Sequence, residues 1–73
     1  MDAKVSIIIP TYKRGRDFVK RAIDSALLQT YANIEIIVVD DNGTEDTAAY
    51  RAIIENLVRS YRDSRIVYRQ NQY

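Results

Sequence analysis

The chain has 73 residues, enough for one small domain. Its 11 lysines and arginines nearly balance 10 acidic residues, so no strong field draws nucleic acid and no nucleic-acid partner is expected. Cysteine and histidine are both absent, which excludes disulfides, thiolate metal sites and any Ser-His or Cys-His nucleophile. Residues 4–9, with Val5-Ser6-Ile7-Ile8-Ile9, read as a first strand, and Pro10 is expected to end its pairing because it carries no N–H. From about 16 to 29 the spacing predicts a helix with Phe18, Val19, Ala22, Ile23, Ala26 and Leu27 facing a sheet. On its other face Asp17 with Arg21, and Lys20 with Asp24, stand four apart as ion pairs.

After a polar connector, residues 34–39 form a second apolar, β-branched run, as expected of a strand buried on both faces. It runs straight into Asp40 and Asp41, then the turn residues Asn42 and Gly43. Thr44 is a good N-cap, and Glu45 and Asp46 suit the positive end of a helix. That helix should reach about residue 61 with Ala49, Ala52, Ile53, Leu57 and Tyr61 inward. Asp63-Ser64 is a turn, and Arg65–Arg69 alternates weakly as a third strand.

The fold class is therefore α/β. The order βαβαβ makes a Rossmann-like half domain with a three-stranded, mainly parallel sheet. Right-handed crossovers place both helices on one face and leave the other face apolar and bare. A domain of this size buries only about 60% of its unfolded surface and is marginal alone. Residues 1–73 thus read as part of a larger domain, or as a homo-oligomer that covers the exposed sheet. No apolar run approaches a membrane span, and the N-terminus does not read as a signal peptide.

Two carboxylates at the carboxyl edge of a parallel sheet repel each other and do little for folding, while open α/β sheets bind ligands at that edge. Asp40 and Asp41 therefore suggest recognition of a group with donors or positive charge. Strand termination is the plainer reading, and it weighs more for Asp40 than for Asp41. Lys13, Arg14 and Arg16 read first as a solvated basic stretch. Tyr50, Tyr61, Tyr68 and Tyr73 read as packing or interface residues.

The segments Val5–Arg14, Gln29-Thr30-Tyr31, Ile34–Thr44 and Asp63–Ile66 together resemble the start of family 2 glycosyltransferases of the GT-A fold. The family pattern has Asn where Lys13 stands and Ser where Gly43 stands. The resemblance implies an inverting transferase with a nucleotide-sugar donor of the UDP or dTDP type, of the kind used in polysaccharide biosynthesis. Residues 1–73 would then be a truncated GT-A nucleotide-binding part. It further implies that Asp41 accepts a hydrogen bond from a uracil imide and that Tyr12 lies against the base. Pro10 and Thr11 would close the pocket with main chain, and Asp40 would support the loop or the ribose. Arg14 could approach the diphosphate.

A divalent metal, Mg or Mn, is expected in the full-length enzyme. Its motif and the general base lie in later segments of the family, so this segment is expected to bind no metal and to be inactive alone. The acceptor would be a sugar, a lipid or a protein. The location would be cytoplasmic, or peripheral at the cytoplasmic face of a membrane. The alternative is a non-catalytic, self-associating α/β domain. A phosphoacceptor receiver fits poorly, because its acidic pair should follow the first strand. Dinucleotide binding lacks its G-x-G-x-x-G.

Overall fold

The computed structural model describes residues 4–29 and 33–71. The expectations attached to Thr30, Tyr31 and Tyr73 lie outside these residues. The element order is β1 (Val5–Thr11), α1 (Arg16–Leu27), β2 (Ile34–Asp40), a 3₁₀ turn (Glu45–Thr47), α2 (Ala48–Tyr61) and β3 (Ile66–Gln70). The three strands form one sheet in the order β1-β2-β3, and both pairings are parallel. This is the predicted βαβαβ half domain.

Register explains how the sheet sorts its side chains. Val5, Ile7, Ile9 and Thr11 pair with Ile34, Ile36, Val38 and Asp40, and all of these face one way. On that side Val19, Ile23 and Ala26 of α1 and Ile54 and Leu57 of α2 close the core. Ile36 and Val38 at its centre are wholly buried. The intervening residues face the other way. Ile8 is 63% exposed there, beside the partly exposed Ile37, Val39 and Val67. The sheet therefore has a covered face and a bare apolar face among the described residues.

Pro10 does not end β1. The strand continues to Thr11, with Pro10 opposite Val39 and Thr11 opposite Asp40. Val5 donates its N–H to Asn33 and Thr11 accepts from Asp41, so the odd-numbered residues direct their backbone groups at β2. Pro10, being even-numbered, turns its nitrogen to the free edge of β1, where no ladder bond is lost.

Two helix faces also differ from expectation. Phe18 is 51% exposed, and its ring packs against Arg14, whose guanidinium carbon lies 4.6 Å from the ring centroid. In α2 the inward face is Ile54, Leu57, Val58 and Tyr61, while Ala49, Ala52 and Ile53 are exposed. Thr44 caps the 3₁₀ turn rather than α2, and buried Thr47 accepts the Thr44 N–H at 3.1 Å, so α2 itself starts only at Ala48. The i,i+4 pair of Lys20 and Asp24 forms at 2.7 Å. Tyr61 donates to Asp24 Oδ1 at 2.6 Å and ties α2 to α1. Burial, then the bond to Asp24, pushes the Tyr61 phenol up to about 12.

Candidate functional site at the carboxyl edge of the sheet

The site begins where β1 and β2 stop side by side. Thr11 and Asp40 are register partners, and the next residue of β2, Asp41, donates its N–H to the Thr11 carbonyl at 2.9 Å. Tyr12 and Asp41 are thereby set next to each other at the sheet edge. Tyr12 is 52% exposed, and Asp41 is partly exposed.

Asn42 locks the two loops together. Its side-chain oxygen accepts the Lys13 N–H at 2.9 Å, across from one loop to the other. Its own N–H and its Nδ2 both donate to Asp40 Oδ1 at 2.9 Å. Asn42 is 1% exposed, so each of these bonds is shielded from water. The clamp holds Lys13 at φ 53°, in the left-handed region that Asn and Gly occupy most readily. The Lys13 ammonium lies 5.5 Å from the Tyr12 ring centroid.

Asp40 is wholly buried on the covered face. Its Oδ2 accepts a short hydrogen bond from the Tyr68 hydroxyl, and its Oδ1 lies 3.5 Å from Arg51 Nε. Arg51 Nη2 donates at 2.9 Å to the Asp40 carbonyl and at 2.9 Å to the Asn71 carbonyl. Burial first, then the bond to Asp40, pushes the Tyr68 phenol up to about 12. Asp40 is thus the hub that joins β2, β3, α2 and the Asn42 turn. A carboxylate so placed supports the loop and presents no surface to a ligand.

Asn71 completes the edge. Its N–H donates to the Asp40 carbonyl at 2.9 Å, and its Nδ2 donates to Asp41 Oδ1 at 2.6 Å. Thr11 is wholly buried, and its hydroxyl has no hydrogen-bond partner among the described residues. With its carbonyl already accepting the Asp41 N–H, Thr11 holds the end of β1 against β2 and presents no surface of its own. Pro10 lies on the bare face at the β1 edge. Arg14 is held over Phe18, at the first turn of α1. The structure brings Tyr12 and Asp41 together at the edge, keeps Thr11 and Asp40 buried behind them, and places Arg14 to one side.

Sequence reasoning missed Asn42, Arg51, Tyr68 and Asn71 as members of this cluster. Asn42 carried a signal, since Asp-Asp-Asn is a run of residues whose side chains bond nearby backbone. The other three are remote in sequence and gave none.

These residues do not fit a metal ion. Among the described residues, no group of three or more His, Cys, Asp or Glu is placed to hold one. Asp40 is surrounded by the donors of Tyr68, Asn42 and Arg51, a set that competes with a cation for its oxygens.

Residues 6–73 match the profile of Glycosyl transferase family 2. An uncharacterized glycosyltransferase of Rickettsia prowazekii is 51% identical over 59 residues, which cover 81% of this chain and 16% of that protein. The UDP-Glc:alpha-D-GlcNAc-diphosphoundecaprenol beta-1,3-glucosyltransferase of Escherichia coli is 42% identical over 69 residues, covering 94% of this chain and 24% of that protein. The GalNAc(5)-diNAcBac-PP-undecaprenol beta-1,3-glucosyltransferase of Campylobacter jejuni is 39% identical over 69 residues, covering 94% and 20%. The chain therefore spans a quarter or less of these relatives. No solved structure matches it. With a family match running over nearly its whole length, the chain belongs to glycosyltransferase family 2.

Proposed function

We propose that this chain forms the base-recognition side of a nucleotide-sugar site within a longer glycosyltransferase, with UDP or dTDP as the nucleotide. The observation that carries this reading is the placement of Tyr12 beside Asp41 at the carboxyl edge of a parallel sheet, with both loops held by Asn42. A carboxylate offers only acceptors, about four lone-pair positions on two oxygens. It matches the imide N–H of uracil or thymine and repels the bare ring nitrogen of cytosine. The Tyr12 ring offers a face for stacking. Two of the relatives are named as glucosyltransferases, with undecaprenol-linked saccharides in their names. A polyprenyl-diphosphate-linked saccharide is accordingly the acceptor proposed for the longer enzyme.

Donor recognition, not transfer, is the role assigned to the 73-residue chain. Its buried Asp40 is committed to the fold and is not open to an acceptor. Incubation with UDP- and dTDP-sugars and Mg or Mn should give no nucleotide release above buffer. Equilibrium binding tests the reading itself. UDP should bind the chain in roughly the millimolar range, because a small contact area leaves little surplus over the cost of association. CDP should bind at least several-fold more weakly, and Asp41→Ala should erase the difference. Equal affinity for UDP and CDP in the unaltered chain would refute base recognition by Asp41.

A second reading is favoured by the bare face. Ile8, Ile37, Val39 and Val67 form an apolar surface with Ile8 63% exposed, and such surfaces mark interfaces. Self-association of the isolated chain through this face would be seen by light scattering coupled to size exclusion. A monomer at all concentrations that binds no apolar dye would exclude it.

A further inference from the structure

We infer that Asn71 is a positioning residue that sets the base preference of the site by holding the Asp41 carboxylate in one orientation. This rests on the reading of Asp41 as the base acceptor. Asp41 lies just beyond the end of β2, and the orientation of its carboxylate decides which acceptor directions a base would meet. Asn71 lies just beyond the end of β3, one residue after Gln70, the register partner of Asp40. Three bonds hold it. Its N–H goes to the Asp40 carbonyl at 2.9 Å, its carbonyl accepts Arg51 Nη2 at 2.9 Å, and its Nδ2 reaches Asp41 Oδ1 at 2.6 Å.

The backbone of Asn71 is thus pinned on both sides before its side chain touches Asp41. Arg51 contributes by bridging two carbonyls, those of Asp40 and Asn71, from α2. A pinned donor at 2.6 Å fixes which carboxylate oxygen stays at the β3 side. The bond comes from the β3 side of Asp41, and Tyr12 follows β1 on the opposite side of β2. Hydrogen bonds with one charged partner are also stronger and more directional than neutral ones. Asn71 is itself exposed, so its side chain is not needed for core packing.

The test is UDP and CDP titration of the full 73-residue chain in three forms: unaltered, Asn71→Ala and Asn71→Asp. Asn71→Ala should weaken UDP by roughly fivefold, the scale of one net hydrogen bond, and leave CDP unchanged. Asn71→Asp should weaken UDP further, because two carboxylates then face each other, and salt should partly restore it. Far-ultraviolet circular dichroism and the urea midpoint should stay constant across all three forms, which separates positioning from folding. A uridine preference that is unaltered in both variants would overturn the role of Asn71 and leave Asp41 standing. Absence of any UDP preference in the unaltered chain would overturn both. Equal weakening of UDP and CDP by Asn71→Ala would also overturn it, since that is general loosening of the edge.

Discussion

Asp40 and Asp41 are neighbours with the same side chain, and the sheet sends them to opposite places. Asp40 is wholly buried on the covered face, where Tyr68, Asn42 and Arg51 surround it. Asp41 is one residue further on, partly exposed, and lies beside Tyr12 and Asn71. The period of two in a strand makes the division. Asp40 ends the series Ile34, Ile36, Val38 that faces the helices, so it is inside by the same rule that buries the core. Asp41 falls outside that series. Acidic residues at the carboxyl edge thus separate into one that builds the loop and one that can meet a ligand.

Substitution should separate the two by stability. Asp40→Ala leaves the Arg51 guanidinium in a partly buried place without its carboxylate, and breaking such a pair costs about 3–5 kcal/mol. That is comparable to the entire stability of a chain this small, so circular dichroism should show an unfolded or molten protein. Asp41→Ala should change the unfolding free energy by less than about 0.5 kcal/mol, as for surface changes in general. If the two variants were equally destabilised, the division between a buried hub and an outer acid would collapse.

Tyr68→Phe sharpens the comparison, because it removes one donor from Asp40 and leaves Asp41 untouched. The expected loss is about 1.5–3 kcal/mol at neutral pH, the range for a hydrogen bond to a charged group. Its pH signature has a definite sign. The Tyr68 phenol is raised to about 12 from an ordinary 10.0. Its stabilisation is therefore fully present below pH 10 and is lost as the pH rises toward 12. Tyr61, held up to about 12 by burial and Asp24, adds a second loss in the same window. Alkaline unfolding curves of Tyr68→Phe and Tyr61→Phe should each be flatter than that of the unaltered chain, and the double variant flattest. A Tyr68→Phe curve with an unchanged slope would remove the Asp40–Tyr68 bond from the account of the hub.

The smallest effect concerns Lys13, held at φ 53° by the Asn42 clamp. Lys13→Asn should stabilise by roughly 0.5 kcal/mol, since Asn tolerates the left-handed region better. Arg62, at φ 50° beyond α2, is a control far from the site, and Arg62→Gly should give a similar gain with no effect on nucleotide binding.

Much of the fold could be read from the chain because its signals were local. The two apolar runs, the turn residues and the helical spacing between them gave three strands and two helices in the right order. Pro10 misled because the cost of a missing N–H depends on which way that residue points, and only the pairing reveals the direction. The face of α2 was misjudged because two apolar stripes compete on it: Ala49, Ala52 and Ile53 stay exposed, while Ile54, Leu57, Val58 and Tyr61 meet the core, and only docking chooses between them. Phe18 followed the apolar spacing but lies half exposed against Arg14. At the site, Asp40, Asp41 and Tyr12 were visible as abrupt polar residues after apolar runs. The bonds to Arg51, Tyr68 and Asn71 span 11 to 30 residues and depend on where β3 and α2 dock.

Nuclear magnetic resonance titration of the ¹⁵N-labelled chain with UDP tests the central claim most directly, because it reports position as well as binding. Recognition at the outer edge requires shifts at the amides of Thr11, Tyr12, Asp41 and Asn42 that saturate together, with Asp41→Ala removing them while the fold persists. Shifts confined to the outer faces of α1 and α2, or shifts at the edge that survive Asp41→Ala unchanged, would contradict it.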